Sequence, residues 1–463
     1  MTSASGVSPA SGDVPNTIDL DRFVDERPIG AFHINLLIWP LIATIADGFD
    51  LVVMGFAAPE IIKAFSIDRS LMGLILSASL IGLLIGSPIA GYLGDKFGRK
   101  PLMVSAVLLF GAATWATVLA GSFSHFFILR LLAGIGLAGI IPNVTALVTE
   151  SIPRRVRGAS LIVVHLGVQL GSIIPGLIAA YLVAKYGWEV LFTIGGACPM
   201  LLSIILIFVL PESVKFLALD PRRRSRFLKL VRAMDPRTQV NENTEIVQHL
   251  THSRTSLAPT VPFQNGMHVI TPLLWTLAGI SLFTNLLIGS WAPTVLRDLG
   301  LPPEKAALTA SLYGLGGVIG SVILIFGFNR YGFLIVVFFY LVGVPALALV
   351  GYVDSSLLPI LIGLAGLCIA GSQSAINSAL GMLYPTSIRA NSAGWGMTVG
   401  RVGSIFGPIF GGYLTSHQMS GEKFFVIAAI PVALGVCISA VLTWKCWQRF
   451  HEWALHDRAA VEK

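Results

Sequence analysis

Charged side chains are scarce in this chain of 463 residues. Asp, Glu, Lys and Arg make up only 12% of it, whereas apolar residues make up 54%. Soluble globular chains carry about 25% charged residues, so an ordinary soluble domain is excluded. Cysteine is also rare, with four residues in or beside apolar stretches. Since no spacing typical of metal ligands occurs, the sequence predicts neither a disulfide framework nor a metal site.

Apolar stretches long enough to cross a hydrocarbon core of about 30 Å recur along the whole chain. The sequence therefore predicts an all-α polytopic membrane protein with twelve transmembrane helices. We number these predicted spans 1 to 12 in chain order: 31–58, 70–93, 101–121, 124–148, 158–184, 188–210, 269–295, 306–327, 333–352, 356–381, 391–415 and 423–444.

Polar segments divide the chain into two groups of six spans. The segment before span 1 is polar and lacks the apolar core of a signal peptide, so we expect a short, partly disordered tail. The longest polar segment holds the cluster Arg222-Arg223-Arg224-Ser225-Arg226, which suits a loop against the anionic inner leaflet. The predicted organisation is a tail at 1–29, a six-helix bundle at 30–210, a central loop at 211–268, a second bundle at 269–446 and a tail at 447–463.

The distribution of basic residues predicts the orientation of the chain. With the N-terminus inside, 23 of the 31 Lys and Arg residues fall in cytoplasmic segments, 6 fall outside and 2 lie within spans. Both termini are then cytoplasmic. Membrane topology accounts for the net charge of +7, and we expect no nucleic-acid partner.

Only four formally charged side chains lie in the interior of the predicted spans. Asp47 and Asp50 are close together in span 1, one helical turn apart, and therefore on nearly the same helix face. Arg130 lies in span 4 and Arg401 in span 11. Two acids and two bases balance, as expected when intramembrane charges pair or face a wet cavity. With a rise of about 1.5 Å per residue, Asp50 and Arg130 lie at similar depth, and Arg401 lies close to the level of Asp47.

The two groups of six spans resemble each other as parallel repeats. One constant offset in residue number aligns two separate pairs of segments. The pairs are Ala58-Pro59 with Ala292-Pro293, and Asp95-Lys96-Phe97-Gly98 with Asn329-Arg330-Tyr331-Gly332. The two halves of such a protein rock about a central site to give alternating access.

The loop between spans 2 and 3 carries a family resemblance. It reads Gly91-Tyr-Leu-Gly-Asp95-Lys96-Phe-Gly98-Arg99-Lys100 and resembles the signature loop of the major facilitator superfamily. Together with the span count and the repeat, it predicts the major facilitator fold for residues 30–450. Within that superfamily, Asp47-Gly48-Phe49-Asp50 and Gly400-Arg401-Val402-Gly403-Ser404 resemble the aromatic acid:proton symporter family of 4-hydroxybenzoate, protocatechuate and benzoate permeases.

The resemblance implies roles for the intramembrane charges. Arg401 offers a planar fork that matches a substrate carboxylate, and its alternative role is a structural pairing with Asp47. A slightly different offset between the repeats places Gln169 of span 5 opposite Arg401, where it suits a ring hydroxyl or an ordinary interhelical hydrogen bond. We expect Asp47 or Asp50 to carry a coupled proton, with Arg130 setting the pKa through pairing. Asp47 is also expected beside the substrate.

Gating residues are expected in the two inner loops of the first half. Gly91 and Gly98 allow close backbone approach and a tight turn, and Asp95 and Arg99 allow ion pairs that form in one state and break in another. After span 4, Glu150 and Arg157 are expected in an inner cluster with Arg99. Four aromatic residues at suitable depth could stack on a ring, although an aromatic residue in a span more often serves core or interface packing: Trp39, Phe49, Tyr313 and Trp395.

The sequence thus predicts a symporter that imports a small aromatic carboxylate with protons across a bacterial-type inner membrane. Another organic acid or a sugar on the same scaffold, and a receptor that binds such a ligand without transporting it, are the alternatives. An enzyme is not expected, because no nucleophile–base pair or metal constellation occurs in the loops. We expect a monomer in the lipid bilayer that needs no cofactor beyond the coupling ion H⁺.

Overall fold

The computed structural model describes residues 17–235, 238, 244–247, 258, 260–264, 266–384, 388–417 and 419–450. Residues 1–16 and 451–463 of the two predicted tails therefore lie outside the described residues. Helices fill nearly all of the described chain. The six spans of the first half are Ala31–Phe65, Arg69–Phe97, Arg99–Ala116, Phe123–Leu137 with Ile140–Ser151, Arg154–Gly171 with Ile174–Ile178 and Ala184–Tyr186, and Glu189–Val209.

The second half repeats this arrangement. Its six spans are Ile270–Asp298, Pro303–Tyr331, Phe333–Ala348, Leu358–Ala365 with Gly371–Met382, Arg389–Ser416, and Gly421–Phe450. Eleven of the described helices are long and apolar enough to cross a membrane. Span 11, with 28 residues, is long enough but less apolar, because it carries Arg401 and many glycines.

Two spans of the first half are interrupted, which the apolar pattern does not predict. Span 4 breaks at Ala138 and Gly139, and span 5 breaks after Gly171. A proline lies one turn beyond each break. Pro142 and Pro175 lack the N–H that would bond to the carbonyl groups of Ala138 and Gly171, so the helical ladder stops there.

Each half is assembled from the same three pairs of spans, packed at glycines. Spans 1 and 5 approach at Gly48, where a β-carbon would lie 1.9 Å from the carbonyl oxygen of Val168. The corresponding spans 7 and 11 approach at Gly403, where a β-carbon would lie 2.2 Å from the carbonyl oxygen of Gly279. Spans 2 and 4, 3 and 6, 8 and 10, and 9 and 12 are the other packed pairs.

The turns that follow spans 2 and 8 show the repeat directly. Gly98 has φ 107° and Gly332 has φ 54°, a region that an L side chain rarely adopts. These two glycines are equivalent under the constant offset found in the sequence. The repeated loops therefore share a backbone turn as well as a motif.

A small layer outside the membrane-spanning helices covers one end of the first half. Strand Thr17–Asp19 pairs in parallel with strand Glu245–Val247 of the central loop. It is followed by helix Leu20–Glu26, whose apolar side chains pack against helix Arg224–Met234. The part of the N-terminal tail from residue 17 onward is therefore organised on the central loop, whereas the composition suggested a partly disordered segment.

Candidate functional site

Asp50 and Arg130 form an ion pair inside the first half. Arg130 Nη1 lies 2.7 Å from Asp50 Oδ1, and at most 1% of either side chain is exposed. Thr114 donates to the same carboxylate oxygen at 3.2 Å and accepts from Arg130 Nη2 at 2.8 Å. The similar depth estimated from the sequence agrees with this contact, and Thr114 is a partner that the sequence did not reveal.

Further contacts hold Arg130 in place. Its Nη2 donates to Thr117 at 3.4 Å, and its guanidinium carbon lies 5.3 Å from the ring centroid of Phe192, within the range of a cation–π interaction. Asp50 Oδ2 and Arg130 Nε are buried without a partner among the described residues. Because an incompletely bonded buried pair is costly, this pair is not explained by stability alone.

Asp47 lies one turn away from this pair and is not part of it. Only 3% of Asp47 is exposed, and its Oδ1 is buried without a hydrogen-bond partner in the described chain. Asp47 does not form an ion pair with Arg401 of the second half, whose guanidinium bonds to Ser87. A carboxyl with so little solvation and no bonded cation is suited to taking up a proton.

Arg401 reaches across the space between the halves. Its Nη1 donates to the hydroxyl of Ser87 in span 2 at 2.6 Å. Arg401 is partly exposed, and no carboxylate of the described residues forms an ion pair with it. Arg401 therefore lies near the middle of span 11 with its guanidinium bound to a neutral oxygen, and further N–H groups are available for an anion.

Gln169 lies on the same central space, beside span 1. Gly48 contacts the backbone at Val168, so the next residue, Gln169, is close to the level of Asp47. Its Oε1 faces span 8, at 3.8 Å from where a β-carbon of Gly317 would lie. Gln169 is partly exposed, and no hydrogen bond of its side chain to another described residue is present.

The four aromatic candidates are placed differently from one another. Phe49 is buried against span 6, where its ring lies 2.3 Å from a β-carbon built at Gly195. Trp39 donates its Nε1 to Asn35 at 2.8 Å on its own helix. Trp395 is partly exposed in span 11.

Tyr313 is the fourth candidate. Its hydroxyl donates to Oδ1 of Asn285 in span 7 at 2.8 Å. Asn285 was missed by the sequence analysis, although an amide in an apolar span is a visible signal.

The predicted gating loop forms ion pairs within the first half. Arg99 bonds to Asp95 at 2.7 Å and to Glu150 at 3.3 Å. Gly98 makes the expected turn, whereas a β-carbon at Gly91 would meet nothing within 4 Å. The close approach expected at Gly91 is therefore not made in this conformation.

Arg157 lies apart from that cluster. It donates to the carbonyl oxygen of Ile152 at 3.2 and 3.0 Å and lies 3.7 Å from Asp25 of the N-terminal segment. The sequence also missed the role of Glu212, which accepts from the backbone N–H groups of Arg99 and Lys100 at 2.9 and 3.2 Å.

The opposite end of the interface between the halves is tightly closed. Arg69 bonds to Asp298 through two N–H groups at 2.6 and 3.0 Å, and Arg297 bonds to Glu60 at 2.6 Å. Beside them, hydrogen bonds from the hydroxyl and the backbone of Ser70 hold the pKa of Asp68 below its usual range.

Comparisons with known proteins agree with this architecture. The family model of the Major Facilitator Superfamily matches residues 41–361. The chain belongs to the Major Facilitator Superfamily. The predicted superfamily and fold are thus confirmed.

Two curated relatives and one solved structure show how close the similarity is. The chain is 32% identical to the 4-hydroxybenzoate transporter PcaK of Pseudomonas putida, over 94% of this chain and 98% of that protein. It is 31% identical to the gallate transporter of Pseudomonas putida, over 89% and 92%. The inward open xylose transporter XylE from E. coli is 16% identical, with a TM-score of 0.68 over 93% of this chain and 99% of that one. These superfamily relatives are transporters and not enzymes.

Proposed function

We propose that this chain imports an aromatic carboxylate together with protons by alternating access. One observation carries the proposal most directly. Arg401 lies near the middle of span 11, partly exposed between the halves, and bonds to the neutral Ser87. Because a guanidinium fork matches a carboxylate with two parallel hydrogen bonds, this position suits the acid group of a substrate. The relatives named for 4-hydroxybenzoate and gallate transport support a ring-bearing acid.

Asp47 is the proposed carrier of the coupled proton. It is buried without a bonded cation, so protonation removes a costly charge from the interior. Asp50 is held by Arg130, and we assign it the role of fixing span 1 against span 4. Rocking of the halves changes the separation of Asp47 from Arg401, and with it the ease of protonation.

Charge balance limits the number of protons that cross with each substrate. A monoanion that crosses with one proton moves no net charge and draws only on the pH gradient. A second proton makes uptake electrogenic, worth about 2.3 kcal/mol per 100 mV. Asp47 is the single acid without an ion pair in the interior of the described spans, which favours one proton per substrate.

The orientation follows from the basic residues. We propose that both termini are cytoplasmic and that the protein acts as a monomer in a bacterial-type inner membrane. The ion pairs Arg69–Asp298 and Arg297–Glu60 then lie at the outer surface. In this orientation the central space opens inward, to the cytoplasm.

Uptake into proteoliposomes with an imposed pH gradient tests the proposal. The panel contains benzoate, 4-hydroxybenzoate, protocatechuate, gentisate, shikimate, cis,cis-muconate and a hexose. We expect accumulation of one or more ring carboxylates that collapses when a protonophore removes the gradient. Uptake of the hexose or muconate alone would contradict the ring acid. Binding of a ring acid without counterflow would instead identify a receptor.

A further inference from the structure

Asn285 of span 7 has bonding capacity that the fold leaves unused. Its Nδ2 donates to the carbonyl oxygen of Ser281 at 3.0 Å, and its Oδ1 accepts from the Tyr313 hydroxyl at 2.8 Å. A side-chain amide has two donor hydrogens and two lone pairs on its oxygen. One hydrogen and one lone pair of Asn285 therefore remain, and the residue is partly exposed.

Asn285 faces the first half of the protein. One turn further along span 7, on the same helix face, Gly289 lies 3.4 Å from Val52 of span 1, measured from a β-carbon at Gly289. Tyr313 of span 8 lies on a helix face that also meets the first half. Gly317, one turn further along the same face, lies near Oε1 of Gln169. Asn285 thus borders the central space, and the buried Tyr313 holds it from within the second half.

The depth of Asn285 relative to Arg401 can be read from the packing of spans 7 and 11. Gly403 packs on Gly279. Arg401 precedes Gly403 by two residues and is therefore level with Leu277. The helical rise from Leu277 to Asn285 along span 7 is about 12 Å toward the outside. Arg401 bonds to Ser87, which lies further inward in span 2, so a ring acid held by its carboxylate at Arg401 would point its opposite edge toward Asn285 once the Arg401 side chain turns outward from Ser87.

We infer that Asn285, oriented by Tyr313, binds a hydroxyl group on the substrate ring opposite the carboxylate. A phenolic hydroxyl both donates and accepts one hydrogen bond, which matches the free lone pair and the free hydrogen of the amide. The chain then selects para-hydroxylated aromatic acids over the unsubstituted ring. This inference rests on the proposed import of an aromatic carboxylate.

Initial uptake rates of 4-hydroxybenzoate and benzoate into proteoliposomes test the inference. Wild type is expected to prefer 4-hydroxybenzoate. Asn285→Leu, which keeps the approximate size, should raise the KM for 4-hydroxybenzoate about tenfold, the effect of losing one well-formed hydrogen bond. The KM for benzoate should change less than about twofold, because benzoate has no hydroxyl to lose a partner. Tyr313→Phe should shift the ratio in the same direction by a smaller factor.

Thr284→Val is the matched control. Thr284 adjoins Asn285 but is 1% exposed and donates only to the carbonyl oxygen of Ile280 on its own helix, so its loss should leave the substrate ratio unchanged. Equal losses for both substrates in Asn285→Leu, or an unchanged ratio, would overturn the inference. If Asn285→Leu abolishes benzoate uptake altogether, Tyr313→Phe is the deciding variant. An unchanged ratio of its KM values for 4-hydroxybenzoate and benzoate would then overturn the inference. A wild type that carries no ring carboxylate of the uptake panel overturns the proposed function itself, whereas a wild type that carries ring acids without preferring 4-hydroxybenzoate to benzoate overturns only the role of Asn285.

Discussion

The two halves of the molecule share their helix pairing but differ in the charge that they bury. In the first half, span 1 carries Asp47 and Asp50, and span 4 supplies Arg130. The constant offset between the repeats aligns the two acids with Ser281 and Thr284 of span 7. Both are buried neutral side chains. The second half has therefore kept the scaffold without the acids.

This difference suggests a division of labour. Burying ions costs several kcal/mol each unless they are paired and bonded. The first half buries the ion pair Asp50–Arg130, whose bonding is incomplete. The second half contributes Arg401 and the neutral polar pair Asn285 and Tyr313. In the proposed mechanism, proton binding belongs to the first half and recognition of the anion to the second, so coupling arises where they face each other.

The largest effect is expected when the buried pair is broken. Asp50→Ala leaves Arg130 buried with only hydroxyl partners, so the free energy of unfolding should fall by about 3–5 kcal/mol, and uptake should be lost. Thr284→Ala, at the equivalent position of the second half, should cost no more than about 1 kcal/mol. Thermal unfolding in detergent measures both variants. Equal losses of stability in the two variants would show that the first half depends no more on its buried acid than the second half depends on its buried hydroxyl.

Asp47→Asn should separate coupling from binding. The amide cannot exchange a proton, so accumulation driven by a pH gradient should disappear, whereas exchange of labelled for unlabelled substrate should persist. Ser281→Ala, its equivalent in the second half, should leave both activities within about twofold, because it removes only a small neutral hydroxyl that carries no proton between the two sides. Accumulation that persists in Asp47→Asn would show that a group other than Asp47 carries the coupled proton.

Arg401→Lys should weaken substrate binding without removing the positive charge. Lysine offers a compact ammonium in place of a planar fork, and the loss of one charge-assisted hydrogen bond, worth about 1.5–3 kcal/mol, predicts a KM raised roughly tenfold to a hundredfold. Arg69→Lys is a matched change at the closed outer end, away from the central space. Dependence of uptake rate on substrate concentration gives both KM values. A KM unchanged in Arg401→Lys would leave Arg401 with a structural role alone.

Much of the fold could be predicted because it depends on composition and spacing. The lengths of the apolar stretches located the spans, and the glycines at 98 and 332 followed from the repeated motif. The depth of Asp50 and Arg130 agreed with their contact, since rise per residue is nearly constant in a helix. These properties are local or periodic, and a single sequence reveals them.

The rest depends on which faces of distant helices meet. The bond from Arg401 to Ser87 joins residues 314 positions apart, and neither the pattern of span 2 nor that of span 11 specifies it. Asn285 is neutral, so the distribution of charged residues in the spans does not reveal it. Arg157 was expected beside Arg99 but contacts Asp25, because the N-terminal segment folds onto the same end of the first half, which composition did not indicate.

The smallest effect is expected at the outer end, where the halves contribute equally. Glu60 and Arg69 come from the first half, and Arg297 and Asp298 from the second. About a third of both side chains in the Arg69–Asp298 pair is exposed, so Asp298→Asn should cost at most about 1 kcal/mol. That energy shifts the balance toward outward opening by about fivefold or less.

Exchange rates at low and high ionic strength measure this shift. Added salt screens exposed charges, so wild type at high salt should approach Asp298→Asn, and the variant itself should respond less to salt. Reversing the pair with Arg69→Asp and Asp298→Arg together should restore the salt dependence of wild type, because the contact joins the same two positions. A large loss of uptake in Asp298→Asn alone would show that the outer end is as specialised as the buried charges of the first half.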